Sequence, residues 1–367
     1  MLFRSASAHP ARGTAKAFTS RFRTSPNCSA TSSAVTIEPS STIRCLDQAG
    51  PVNRVATSAP MSTHKEKFRW IFHGSQGLRA GWSILIFAAL LAPAVFIANI
   101  VMRHLPSLRE GEIALSDSLI FEALQLVAIL GAMAITAWIE GRDVWSYYGL
   151  AGRRPIAKLL FGLGGGFVSL SLVVMALNAG GYLVFDGRAL QGLPALGYGL
   201  FWLLDFMMVG IREEALFRGY LQATLTRGIG FWPAAILLSL LFGAGHLPNA
   251  GESVPGIIGV MVHALFYCLL LRLSGSLWLA IGFHAAWDWA QSYLYGTPQS
   301  GHLMQGHLLM THASGDALMS GGSAGPEGSL LGLPAQAIGL FVFLWAVKRA
   351  GLFLRGWDGR GLLHNTQ

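Results

Sequence analysis

Glu213 and Glu214 stand side by side in a stretch otherwise built for lipid, Gly210-Ile211-Arg212-Glu213-Glu214-Ala215-Leu216-Phe217-Arg218-Gly219. Even on lenient insertion scales an ionisable side chain at membrane depth costs about 2.5–3.5 kcal/mol, so four charges in this short run require a purpose. Two more polar groups interrupt apolar runs: His246, which closes Phe242-Gly243-Ala244-Gly245-His246, and the pair His284 and Asp288 in His284-Ala285-Ala286-Trp287-Asp288. Amide hydrolysis needs a base that makes water nucleophilic and a donor for the oxygen that becomes negative. Carboxylates and imidazoles supply both. One Glu with two His is also a catalytic zinc set that keeps a fourth position for water, and a metal-free arrangement uses the same side chains.

Helical geometry divides these residues. Glu214 and Arg218 are four apart and meet on one face, a pairing that compensates both charges. Glu213 is turned about 100° away, free to point elsewhere, and is the better chemical group. His284 and Asp288 are also four apart, so the carboxylate can orient the imidazole or both can line one cavity. The chain turns back at Gly228-Ile229-Gly230. Glu213 and His246 each lie roughly 24–26 Å along their helices from that turn and face each other at one level. His284 lies about 15 Å beyond the turn at Ser274.

The rest of the chain places these groups in a membrane. Of 367 residues 53% are hydrophobic and 12% charged, with a mean hydropathy of +0.49; a soluble domain carries about 25% charged residues. The net charge of +8 comes from basic residues scattered at the ends of apolar runs, which excludes a nucleic-acid patch and reads as topology control. The unpaired Cys28, Cys45 and Cys268 form no disulfide or CxxC pattern. The expected fold is all-α, a polytopic bundle of about eight spans near 81–102, 118–139, 159–184, 194–225, 231–248, 255–273, 275–295 and 333–349. The fourth is too long for a simple span and must tilt or run past the membrane.

Basic residues favour the cytoplasmic side. Lys65, Lys67, Arg69 and Arg79, then Arg142, Arg153, Arg154 and Lys158, and finally Lys348, Arg349, Arg355 and Arg360 put both termini there. The Gly/Ser-rich segment 296–332 has no Lys or Arg and is expected to be an extracytoplasmic, flexible loop. Residues 1–65 read as a tail, disordered or preceding a working start at Met61, and 356–367 as a cytoplasmic tail; the membrane domain covers 66–355.

Glu-Glu-x-x-x-Arg, then Phe-x-x-x-His, then His-x-x-x-Asp, in that order on successive apolar helices, resembles the CPBP family of intramembrane proteases. That family is related to type II CAAX-prenyl endopeptidases and to bacteriocin-processing and immunity proteins. The resemblance covers about 190–295, with Asp288 where many members carry Asn. It implies a polar cavity opening toward the cytoplasmic side and hydrolysis of peptide bonds near a membrane surface. Glu213 is then the general base, with His246 holding the water or a metal. His284 and Asp288 bind the metal or stabilise the oxyanion, and Glu214 and Arg218 shape the site. A metal set of Glu213, His246 and His284, holding zinc, is the corresponding cofactor expectation.

Other readings have other signatures. A buried ion-pair network fixing helix packing would need the same charges, and a non-proteolytic immunity or partner protein would keep the same fold. An ion-coupled transporter would be expected to show repeat symmetry, and none is visible. His263 has no acid at helical spacing and reads as a satisfied interior histidine, Asp205 as a residue that supports the site from behind or packs the helices, and Arg212 as a neutraliser of the glutamates. The sequence-level conclusion is an intramembrane endopeptidase of a bacterial inner membrane. Its partners are a membrane-associated protein or peptide substrate and the bilayer, with no nucleic acid.

Overall fold

The computed structural model describes residues 70–74, 77–105, 112–249 and 251–353. The tails expected over 1–65 and 356–367 lie outside these residues. The main helices are α1 (Ala80–Met102), α2 (Leu115–Ile139), α3 (Pro155–Ala179), α4 (Gly192–Glu214), α5 (Gln222–Ile229), α6 (Phe231–His246), α7 (Val254–Ser274), α8 (Trp278–Trp289) and α9 (Gly332–Arg349). A widened π-helical turn, Ala215–Leu221, joins α4 to α5 without a break. Helices satisfy their own backbone groups, which is what a lipid environment demands. Their outward faces expose large apolar side chains such as Phe96, Val127, Trp138 and Phe341.

Among the described residues five helical segments are long and apolar enough to cross a membrane: Ala80–Ala98, Leu115–Ile139, Pro155–Ala179, Gly192–Ile229 and Val254–Ser274. Helices also occupy the other three expected positions, but they are short or less apolar: α6 has 16 residues, α8 has 12 and α9 has 18. The physical reason is clearest for α8. Every residue from Leu279 to Asp288 is buried, so its length answers to protein neighbours and not to bilayer thickness. The long segment Gly192–Ile229 has 38 residues, about 57 Å of helix, and runs past any single hydrocarbon layer. It ends at Gly230, whose φ of +85° makes the reversal into α6 accessible to glycine at little cost.

The placement of α8 depends on residues without side chains. α8 packs most extensively against α3, then α4. At Gly162 and Gly166 of α3 a Cβ would collide with the carbonyl oxygens of Leu279 and Phe283, and at Gly282 of α8 with that of Leu159. At Gly210 of α4 a Cβ would lie 3.0 Å from the Ile281 oxygen. Small residues let membrane helices approach backbone to backbone, and here they press α8 between two neighbours with its polar residues fixed in rotation. At one end Glu140 accepts from Ser83, from Arg142 (2.7 Å) and from Arg227 (2.8 Å), which links α1, α2 and α5. Burial pushes the Glu140 carboxyl up, but the hydrogen bonds from Ser83 and Arg227 outweigh this and hold it below the usual carboxylate range.

Where a flexible loop is expected, 296–332 forms a folded layer. Strand β1 (Leu183–Arg188) pairs antiparallel with β2 (Leu309–Ala313), and Glu112–Ile113 pairs with Leu303–Met304. Asp316 caps the turn Ala317–Ser320 by accepting from the Leu318 and Met319 amides, and Pro326–Gly328 forms a single 3-10 turn. These local bonds give the glycine- and serine-rich chain a fixed course.

Gly166→Ala should lower stability by about 1–3 kcal/mol through overpacking, as measured by thermal unfolding in detergent. Gly164→Ala is the control: nothing lies within 4 Å of its Cβ position, so it should be neutral or stabilising by up to about 1 kcal/mol from helix propensity.

Candidate active site

Glu213, His246, His284 and Asp288 line a single cavity with Phe242, His263, Tyr267, Trp287, Gln299, Ser300 and Glu327. Its volume is about 120 Å³, room for several waters. Four helices and the covering layer contribute. α4 supplies Glu213 at its last turn, α6 supplies His246 at its last residue, α7 supplies His263, and α8 supplies His284 and Asp288.

The floor is a buried ionic group. Arg218 donates from Nη1 to Glu214 Oε1 at 3.1 Å, with both side chains almost fully inaccessible. The guanidinium also lies 4.6 Å from the ring centre of Phe242 and 5.3 Å from that of Tyr267, which favours a cation removed from water. The same Glu214 oxygen accepts from His284 Nδ1 at 2.9 Å. Glu214 is therefore more than the partner of Arg218: it also orients the imidazole. Of the two readings of the i,i+4 spacing, the shared cavity is the one seen: His284 and Asp288 both line it, and Asp288 Oδ2 lies 3.5 Å from the other nitrogen, Nε2. That nitrogen is directed into the cavity and lies 3.8 Å from Glu213 Oε2.

Glu213 is held from the opposite side. Arg212 donates from Nη2 to Glu213 Oε1 at 3.0 Å and from Nε to Glu122 Oε2 at 2.7 Å. Arg212 is thus the neutraliser of Glu213, as the sequence suggests, whereas Glu214 is served by Arg218. Oε2 of Glu213 remains turned to the cavity. Nearby, Asp205 accepts from Ser118 at 2.9 Å, a second polar contact between α2 and α4. His246 donates from Nδ1 to the Phe242 carbonyl at 2.8 Å, leaving Nε2 for the cavity. His263 is bound by Gln336 of α9 and packs 4.4 Å, ring centre to ring centre, edge-on to Trp287. It is a satisfied interior histidine that also lines the site.

Sequence reasoning missed Glu122 and Glu327. Glu122 carries the signal that exposes Glu213, a carboxylate inside an apolar run. Glu327 lies in the glycine-rich layer, where an acid is unremarkable; its position over the cavity follows only from the fold. Its Oε1 accepts from the Ser300 amide at 2.7 Å. Burial pushes the Glu327 carboxyl up to about 7, against the hydrogen bond from the Ser300 amide and assisted by the charge of Glu252.

For a metal, the tautomers suit better than the spacing. Both histidines occupy Nδ1 with an outer oxygen and offer Nε2, the habit of metal-bound imidazoles. Yet among the described residues no group of three or more His, Cys, Asp or Glu side chains is drawn together closely enough to hold an ion. The arrangement does not fit a preassembled metal centre.

These features define a helical membrane protein with a buried carboxylate–histidine site. Residues 195–290 match the family model described as type II CAAX prenyl endopeptidase Rce1-like, in agreement with the family resemblance of the three motifs. The matched stretch spans α4 to α8 and includes Glu213, Glu214, Arg218, His246, His284 and Asp288. No curated protein matches the chain.

Because the fold disfavours ionised Glu327, its stability cost should appear as pH rises from the ordinary carboxylate range through about 7. The melting temperature of Glu327→Gln should equal that of the native protein near about pH 4 and exceed it near about pH 8. A constant difference between the two conditions would rule out this ionisation as the cause.

Proposed function

We propose that this protein is an intramembrane endopeptidase that hydrolyses peptide bonds of membrane-associated proteins or peptides, with Glu213 as the general base. The observation that carries this reading is the two-sided placement of Glu213: Arg212 holds Oε1, and Oε2 faces His284 Nε2 across 3.8 Å. A water between them has an acceptor for its proton on one side and, with His246 on the cavity wall, a second polar contact. The water oxygen attacks the carbonyl carbon and its proton passes to Glu213. His284, as the imidazolium held through Nδ1–H by Glu214, donates from Nε2–H to the oxygen that becomes negative. The carbon–nitrogen bond then breaks as Glu213 returns the proton to the leaving nitrogen. Arg218 acts through Glu214 and is a positioning residue.

The match to CAAX-type endopeptidases supports the reaction class, and the apolar helices support an integral membrane location. The location we propose is the bacterial inner membrane, with the eight-helix bundle crossing it and both termini cytoplasmic. A zinc form of the same site is the second reading: Glu213, His246 and His284 would have to draw together to hold the ion, which would supply Lewis-acid polarisation of water and carbonyl.

Purified protein should cleave at least one member of a panel of prenylated and transmembrane peptides. Glu213→Gln should lower that rate by roughly 10²–10⁴, the range for a positioned general base. His284→Ala should lower it by roughly 10²–10³, the range for an oxyanion donor. Equal cleavage by the native protein and Glu213→Gln would end the proposed role of Glu213. Cleavage that survives a chelator supports the metal-free form; loss on chelation with recovery on adding zinc assigns the metal form.

A further inference from the structure

We infer that Glu122, on α2, is a positioning residue of the site: it divides the donors of Arg212 so that one oxygen of Glu213 stays free for water. The inference rests on the hydrolase reading above. It adds a residue that lies outside both the three motifs and the matched stretch 195–290.

Arg212 and Glu213 are neighbours on α4, where successive side chains point about 100° apart. An arginine fork tends to close on a carboxylate with two parallel bonds. Here it closes on Glu122. Arg212 donates from Nε to Glu122 Oε2 at 2.7 Å and from Nη2 to Glu122 Oε1 at 3.3 Å. The same Nη2 donates to Glu213 Oε1 at 3.0 Å. Glu213 thus takes a single bond from the arginine, and its Oε2 faces His284 Nε2 at 3.8 Å.

The surroundings of Arg212 make Glu122 the group that decides this. Glu122 is buried, and Gln125 donates to its Oε1 at 3.5 Å. One helical turn before it, Ser118 donates to Asp205 of α4, so two contacts hold this face of α2 against α4. Beyond Glu122, Arg212 borders an apolar groove lined by Leu91, Ala98, Phe121, Ala128 and Leu216, in which Gln125 is the other polar side chain. The groove offers the guanidinium no further carboxylate. With Glu122 neutralised, Glu213 is the remaining ion-pair partner of Arg212 among the described residues. The fork then closes on Glu213 and occupies Oε2, the oxygen that takes the proton from water.

Two measurements test this. In peptide cleavage, Glu122→Gln should lower kcat by about 10–100-fold, the cost of misplacing a reacting group. KM should stay within about twofold, because no contact to substrate is removed. Lysine is a point donor that cannot form the two-bond fork, so adding Arg212→Lys to Glu122→Gln should raise kcat by about tenfold over Glu122→Gln alone. A lost fold contact would not be repaired by that second change. No recovery, or a loss carried by KM, would overturn the inference. The second measurement needs no cleavage: melting temperatures in detergent of Glu122→Gln, Glu213→Gln and the double variant. Each single variant leaves Arg212 one carboxylate and the double variant leaves it neither, so the double loss should exceed the sum of the single losses. Additive losses would show that the two glutamates do not share Arg212 and would also overturn the inference. A protein that cleaves no peptide defeats the hydrolase reading, and the melting temperatures still decide whether Arg212 is shared.

Discussion

One oxygen atom, Oε1 of Glu214, accepts from both Arg218 and His284, and the site depends on it. A carboxylate this deep is tolerable only when its charge is compensated and its lone pairs used, since removing one partner of a buried pair commonly costs 3–5 kcal/mol. Arg218 supplies the compensation, and the rings of Phe242 and Tyr267 surround the guanidinium. The remaining capacity of Glu214 goes to His284. The ion pair that makes α4 compatible with burial is thus the same group that sets the direction of the imidazole on α8. The pair lies between α4 and the turn that follows it, and its geometry is set by the helices packed around it.

That imposition comes from close backbone approach. The glycines of α3 and α4 press on α8, and a helix held this way cannot rotate without collision. The widened turn at Ala215–Leu221 begins directly after Glu214. Wide turns of this kind recur at functional positions because they re-aim side chains within an otherwise regular helix. Here Glu213 is aimed at the cavity and Arg218 beneath it, from a helix that must also present Gly210 to α8.

The sequence was most readable where charge meets apolar surroundings. The two glutamates, Arg218 and the paired residues of α8 declare themselves because burying a charge is costly, and the turn at Gly230 put His246 at the level of Glu213. The same rule applied to Glu122 in α2 points to a functional carboxylate. Its bond to Arg212, a contact between residues 90 apart in the chain, has no signature in spacing. The i,i+4 rule paired His284 with Asp288, but an imidazole has two nitrogens, and the better bond runs to another helix. Helix positions were legible and span lengths less so, because α8 is enclosed by protein. The layer over the cavity was not legible at all: its glycines and serines indicate a loop, and only the pairing of Leu183–Arg188 with Leu309–Ala313 gives it a place.

Several of the polar residues near the cavity are also met from another helix. Glu122 of α2 meets Arg212 of α4, Glu214 of α4 meets His284 of α8, and Ser118 of α2 donates to Asp205 of α4. Glu122 and His284 depend on partners from α4, so a helix docked out of register leaves a polar group unpaired at depth. Correct assembly of the bundle and correct alignment of Glu213 with His284 are consequently selected by the same electrostatic penalty. The charges of the site therefore act against misdocked arrangements of α2, α4 and α8, whose lipid-facing surfaces alone would not distinguish one packing from another.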